Sequence, residues 1–291
     1  MKIIMYYFSG TGNTKKITEL YEQAFAEQGE VATSVSLPIH TPNDPDAFDM
    51  IGIGYPVHAF NVPKLVLDFC KKLPKINKHG QKKQVFIYKT SGEPVRMNDI
   101  SSLKLIKILK SRGYDVLTER RYIMPYNMIF RHSDSAAYKM WSYAQKLVPL
   151  DVAEVIAGER RMPKKMFMGG LIAWIMRCEH WGARLIGRFF SAESWCVKCG
   201  KCANTCPVGN IKITKKGKVK FGGKCTICMR CAFTCPKNAI NAGLLEGWKV
   251  NGEYSFEEPE APTPSKHDNY CKKAYDRYYA EADARIRNAE L

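Results

Sequence analysis

Between residues 196 and 245 the chain has no aspartate or glutamate, against ten lysines and arginines. Elsewhere it lacks other things. No apolar run approaches the roughly 20 residues that a membrane-spanning helix requires, and the strongly apolar stretch Met166 to Met176 (MFMGGLIAWIM) has only eleven. The amino terminus, MKIIMYYFSGTG, turns polar too soon for an export signal and reads as a first buried strand. Its glycine loop has no GK[ST] ending, so it is not a Walker A loop, and Lys15 stands where a dinucleotide fingerprint needs glycine. The acid-free stretch contains a single arginine, Arg230, and no nucleic-acid motif, so nucleic acid is not an expected partner.

What is present is enough for a folded core: 291 residues, 45% of them apolar, with room for one large domain and a smaller module. The net charge of +17 is unevenly spread, at +8 over residues 1–150, +2 over 151–195, +10 over 196–245 and −3 over 246–291. Eight of the eleven cysteines fall between Cys196 and Cys235, while Cys70, Cys178 and Cys271 are scattered. A long chain without an export signal is not the usual disulfide scaffold, so a reducing cytoplasm is expected.

The clustered cysteines form two copies of one motif, CVKCGKCANTCPVG and CTICMRCAFTCPKN, which begin 29 residues apart. Three thiolates spaced by two residues can wrap one face of an iron–sulfur cubane. The fourth ligand then comes from the other repeat, because the chain turns away at the CP dipeptide. One [4Fe–4S] cluster is thereby assigned to Cys196, Cys199, Cys202 and Cys235, and a second to Cys225, Cys228, Cys231 and Cys206. Zinc also uses CxxC pairs, but two triple runs each closed by CP favour clusters. Val208, Ile211, Ala239 and Ile240 occupy the apolar positions that would shield them. Lys198, Lys201, Lys212, Lys224 and Lys237 should favour the reduced clusters electrostatically and suit an acidic redox protein as partner.

Residues 2–8 (KIIMYYF) read as a buried central strand, followed by the small-residue loop Ser9–Thr14 (SGTGNT) and a helix with Ile17, Leu20, Tyr21, Ala24 and Phe25 on one face. Strand, glycine loop and helix amino terminus make an anion site, here with Ser9, Thr11 and Thr14 as hydroxyl donors. Strands at Val31–Leu37, Asp49–Tyr55, Gln84–Thr90 and Tyr114–Tyr122 alternate with helical patterns at 62–73, 100–109 and 136–147. Cys70 lies on one of those apolar stripes and reads as core. The pattern predicts an α/β fold with a doubly wound parallel sheet. Ligands sit at the carboxyl ends of such strands, where three loops converge: Ser9, Gly10, Thr11, Gly12, Asn13 and Thr14; Tyr55, Pro56, Val57, His58, Ala59, Phe60 and Asn61; and Thr90, Ser91, Gly92 and Glu93.

On these residues the first 150 positions resemble the flavodoxin family, whose phosphate loop has the form [ST]xTGxT, here Ser9, Thr11, Gly12 and Thr14. The resemblance implies an FMN cofactor, with His58 and Phe60 as candidates to flank its ring and no obvious tryptophan to stack on it. Cys196 to Ile240 resembles the bacterial two-cluster ferredoxin family, a small α+β domain. Together they resemble the flavodoxin–ferredoxin fusion proteins of anaerobic bacteria and archaea. The expected division is 1–150 for the FMN domain, 151–194 for a helical basic and apolar connector, 195–245 for the two-cluster module, and 246–291 for a linker and terminal helix. The fusion implies electron transfer between the clusters and FMN, with a ferredoxin- or flavodoxin-type acidic protein or a redox enzyme outside. The alternative is an FMN-dependent reductase of a quinone or nitro compound, fed by the clusters. Residues 160–195, with Lys164, Lys165, Arg177, Arg184 and Arg188 around Trp174, Trp181 and Phe189, suit either two helices packed between the domains or an interfacial membrane helix; the packed pair is the expectation. Glu257 to Asp268 reads as an extended linker before a helix that docks through Tyr275, Tyr278, Tyr279, Ala282 and Ile286. Cys178 is expected to be structural, and Cys271 free and exposed.

Overall fold

The computed structural model describes residues 1–76, 82–164, 166–267 and 269–290. Lys165 and Asp268, named above in the connector and the linker, lie outside the described residues.

Five parallel strands form the main sheet: β1 (Lys2–Tyr7), β2 (Val31–Ser36), β3 (Met50–Pro56), β4 (Lys83–Ser91) and β5 (Tyr114–Ile123), in the order β2-β1-β3-β4-β5. This is the flavodoxin-like doubly wound order, with its switch point between β1 and β3. The apolar runs of β1, β3 and β4 are buried along nearly their whole length because helices cover both faces, whereas β2, at the edge, is largely open. On one face, α2 (Lys64–Cys70) and α3 (Leu103–Ser111) pack through Val66, Phe69, Leu105 and Leu109. Cys70 is fully buried there, and burial pushes its thiol far up, as befits a core residue. The other face holds α1 (Asn13–Glu27) and α4 (Asp134–Ile156), with Ile17, Tyr21, Phe25, Leu147 and Val152 against the sheet.

Three expected boundaries move. Val62 lies before α2, whose start is set by Pro63, a residue suited to the entrance of a helix. Ile100 sits in a 3₁₀ turn, Arg96–Ser102, that leads into α3. The helix expected to close by residue 150 runs on to Ile156 despite Pro149, so a division at 150/151 falls inside a helix. Proline removes one helical hydrogen bond, but buried Val148, Val152 and Val155 continue the apolar stripe past it.

Two short helices follow, α5 (Gly169–Met176) and α6 (Glu179–Ile186), and then the cysteine-rich module. Its elements are small: β6 (Ser191–Ala192), α7 (Lys201–Asn204), β7 (Ile211–Ile213), β8 (Val219–Phe221), α8 (Arg230–Phe233) and β9 (Ile240–Asn241), with β6–β9 and β7–β8 paired antiparallel. The final helix α9 (Lys272–Glu290) docks as expected. Tyr278, Ala282 and Ile286 join the core around α1 and α4, and Arg285 reaches Asp151 (2.7 Å) and Glu154 (3.0 Å) of α4.

Candidate functional site

The 29-residue repeat is visible in the backbone. Lys198 and Ile227 (φ 55° and 48°), Gly200 and Met229 (78° and 57°), and Gly209 and Asn238 (58° and 47°) are all left-handed, each pair 29 positions apart. Non-glycine residues rarely adopt this region, so its recurrence at equivalent positions shows that the two repeats share one backbone path. The sulfurs follow the same symmetry: Asn210 N donates to Cys206 Sγ and Ala239 N to Cys235 Sγ, both at 3.2 Å.

Cys196, Cys199, Cys202 and Cys235 line one small cavity of about 20 Å³ with Pro236, Ala239 and Ile240. Burial raises the thiols of Cys225, Cys228 and Cys231, and the proximity of Cys206 raises each further. Cys235 of the second repeat thus shares a cavity with the first triple, and Cys206 of the first repeat lies near the second triple. Among the described residues, no three or more His, Cys, Asp or Glu side chains converge on the position of a single metal ion. Eight thiols in two sets of four, each backed by apolar residues and amide donors to sulfur, fit the donor chemistry of cubanes. Ile211, Ala239 and Ile240 are buried and Val208 is half-buried, in the shielding positions.

The two sets differ in surroundings. Cys199 is exposed, beside exposed Trp195 and Val197, and Lys198, Lys201 and Lys237 are exposed around it. Cys228 is buried and belongs to the core of the main sheet.

At the carboxyl edge of that sheet lies a cavity of about 450 Å³. Ser9, Gly10, Thr11, Asn13 and Thr14 line it from the first loop, Pro56 to Phe60 from the second, and Thr90 to Glu93 from the third. Tyr55 is not in its wall; it is buried in the core, its hydroxyl 3.3 Å from Ser101 Oγ. Asn61 closes a two-residue turn with His58, and Gly12 lies on the outer side of its loop. In that turn Ala59 and Phe60 both have positive φ (40° and 63°), a conformation that normally selects Asn-Gly. Ser9 Oγ accepts from Gly12 N (3.1 Å), which shapes the loop, and Thr14 Oγ1 meets Thr90 Oγ1 at 2.9 Å, tying first loop to third. The cavity's size and its opening onto the amino terminus of α1 fit a flavin mononucleotide, with phosphate at the glycine loop.

Much of the wall was not expected. The segment Met124–Ile129 after β5 contributes six residues, α6 contributes Gly182, Ala183 and Ile186, and Trp248 brings to the wall a tryptophan that none of the three expected loops contains. In a parallel sheet every strand ends on the same edge, so the loop after β5 was open to prediction. Tyr126 occupies the space beside Gly92 and donates to the Glu93 carboxylate, whose proton affinity is raised by burial. The tail steadies this corner: Tyr254 donates to the Tyr126 carbonyl (2.6 Å) and Tyr275 to that of Gly92. His58, half-buried against the connector, has its proton affinity lowered by desolvation, with Glu179 opposing.

The cysteine module is itself part of this wall. Thr226 and Ile227, between Cys225 and Cys228, line the cavity. Arg230 donates from Nε to the Gly10 carbonyl (2.9 Å), from Nη1 to that of Thr205 (2.9 Å) and from Nη2 to that of Ser9. One guanidinium therefore joins the glycine loop to the residue before Cys206. A Cβ on Gly10 would stand 2.6 Å from the Cys228 carbonyl oxygen. Gly10→Ala is expected to force these backbones apart, lowering stability by about 1–3 kcal/mol as overpacking does. FMN should bind about tenfold or more weakly, and flavin fluorescence titration checks it.

Residues 192–212 match the family model of the 4Fe-4S binding domain, which spans the first cysteine motif. No curated protein matches the sequence. Among solved structures, the chain is similar to a flavodoxin of Streptococcus pneumoniae TIGR4 (13% identity, 54% of this chain and 99% of that one, TM-score 0.41). It is also similar to the two-electron reduced flavodoxin of Megasphaera elsdenii (21% identity, 41% and 84%, TM-score 0.35). A third is a flavone reductase (10% identity, 55% and 66%, TM-score 0.34). At these TM-scores the fold rests on the strand order, not on the likenesses.

Proposed function

We propose that this chain is an electron-transfer protein that holds FMN and two [4Fe–4S] clusters and exchanges electrons with an external acidic redox protein. When bound, the flavin exchanges one or two electrons and each cluster one, which lets the pair convert between the two modes. The observation that carries the reading is the shared wall: the Cys225–Cys231 loop lines the flavin cavity, and Arg230 fastens it to the glycine loop. Such contact holds the inner ligand set at a fixed position beside the cavity. The outer set, Cys196, Cys199, Cys202 and Cys235, is the one that a partner can approach. Around it Lys198, Lys201, Lys212 and Lys237 are exposed and face no carboxylate of their own module, while Trp195 and Val197 supply an apolar centre. A charged rim steers encounter and an apolar centre holds it. In the order of its two modules the chain resembles the flavodoxin–ferredoxin fusions, and a cytoplasmic location is part of the same reading.

Electron carriage is the reading that this shared wall supports; reduction of a small molecule in the cavity, which α6, Leu245 and Trp248 also line, is the alternative. Anaerobic purification tests the cofactors: about eight iron and about one FMN per chain are expected, and four iron or none removes the reading. Stopped-flow reduction by an acidic ferredoxin tests the partner. Lys→Gln changes at 198, 201, 212 and 237 should slow association by about tenfold or more at low salt and flatten its salt dependence. Unchanged rates assign the partner to another surface.

A further inference from the structure

The two connector helices turn their apolar residues outward. On α5 the exposed positions Leu171, Trp174 and Ile175 follow the i, i+3, i+4 spacing of one helix face, and its buried positions are the small Gly169 and Ala173. On α6 the same spacing exposes Trp181, Arg184 and Leu185, while Gly182, Ala183 and Ile186 face the flavin cavity. Phe167 before these helices is 88% exposed, Trp181 is 76% and Trp174 is 65%. The small inner residues do what a packed connector requires, and the large ones have no role in that packing. A soluble monomer rarely leaves so many large apolar side chains together in water.

The charges around them have one sign. Lys164, Arg177, Arg184 and Arg188 surround the apolar residues, and the sole acidic residue from 160 to 190 is Glu179, which is turned inward and paired with His180 at 3.1 Å. Arg184 also lies over the Trp181 ring, 5.8 Å from its centroid. Tryptophan and phenylalanine interleaved with arginine suit the headgroup region of a bilayer, where rings sit at the boundary and guanidinium groups meet lipid phosphates. Among the described residues no helix is long and apolar enough to cross a membrane. These two helices have eight residues each and would lie on the surface instead.

We propose that residues 166–189 are a peripheral membrane-docking element that seats this protein on anionic lipid through its outward Trp, Phe, Leu and Ile side chains. Since the opposite side of α6 lines the cavity, docking would bring the flavin site to within about one helix diameter, roughly 10 Å, of the lipid. The inference goes beyond the electron-transfer reading and does not depend on it.

The test is flotation of the purified holoprotein with vesicles of phosphatidylcholine and 30% phosphatidylglycerol, and with phosphatidylcholine alone, at low and moderate salt. Flotation with the anionic vesicles is expected, together with a blue shift of tryptophan emission and its quenching by brominated lipid. Trp174→Ser with Trp181→Ser should weaken binding at least tenfold while leaving flavin absorbance and iron content unchanged. Arg184→Gln with Arg188→Gln should weaken binding to the anionic vesicles and reduce its salt dependence. Failure to float at low salt overturns the proposal. So does binding that the tryptophan changes leave intact, since the lysines of the cysteine module would then carry the adhesion. Sedimentation giving a dimer that the tryptophan changes dissolve, without vesicle binding, assigns the patch to a second copy of the chain instead.

Discussion

Cys235→Ala is expected to strip the iron–sulfur cluster belonging to the other repeat while leaving FMN in place, and Cys206→Ala to do the reverse damage. The first substitution removes the fourth thiol from the set around Cys196, Cys199 and Cys202, which share one cavity with Cys235. That set lies at the surface, away from the flavin cavity, so the glycine loop keeps its support. Iron should fall from about eight toward about four per chain, with flavin content unchanged. The second substitution removes the thiol that stands close to Cys225, Cys228 and Cys231. The loop carrying those residues is a wall of the flavin cavity and a neighbour of Gly10. Loss of its cluster should therefore release FMN as well as iron.

Iron counts alone would not separate crossed from uncrossed ligation, because either predicts loss of one cluster. Flavin retention does separate them. Under uncrossed ligation, Cys235 would belong with Cys225, Cys228 and Cys231, and Cys235→Ala would be the substitution that empties the flavin site. Electron paramagnetic resonance of the dithionite-reduced variants supplies a second readout, since each should lose the magnetic interaction of a cluster pair. FMN loss in Cys235→Ala with FMN retained in Cys206→Ala would overturn the crossed assignment.

The cysteine spacing made this half of the site legible because a cubane imposes its geometry on consecutive residues. The three flavin-side loops were legible for a related reason: each follows a strand whose apolar run announces where it ends. What stayed hidden lies far away in sequence. Arg230 was singled out only as the lone arginine of a lysine-rich module, and nothing local to it says that it holds the carbonyls of Ser9 and Gly10. Trp248 and Tyr275 reach the cavity corner from a tail that reads as linker and docking helix. The outward face of α5 was hidden differently. Its spacing is that of an ordinary amphipathic helix, and the sequence cannot say which side meets the protein.

Lys89 was hidden inside a run that reads as a plain apolar strand, and its replacement carries the largest expected loss of stability. It sits in β4 with its side chain wholly buried, paired with the Glu119 carboxylate of β5. It also donates to the Asn98 carbonyl (2.7 Å) and to Ser101 Oγ (3.1 Å), and Ser102 Oγ donates to Glu119 at 2.6 Å. Burial lowers the lysine's proton affinity and the adjacent carboxylate opposes that. Lys89→Met would leave Glu119 buried with one hydroxyl donor, and breaking such a pair costs about 3–5 kcal/mol. For a chain of this size the melting temperature should fall by roughly 10 °C, read anaerobically by circular dichroism and flavin release. Lys89→Met combined with Glu119→Leu should recover most of that loss, since an apolar pair of similar volume is often neutral or better than a buried ion pair. The two readouts should then part company. Lys89 grips the turn that follows the third cavity loop, and Asn98 of that turn donates to the Glu93 carbonyl at 2.8 Å. The double variant should therefore regain its melting temperature yet hold FMN less tightly than the unaltered chain. Equal FMN affinity in the two would mean that the ion pair serves the sheet alone and that the third loop is positioned by Tyr126 and Tyr275.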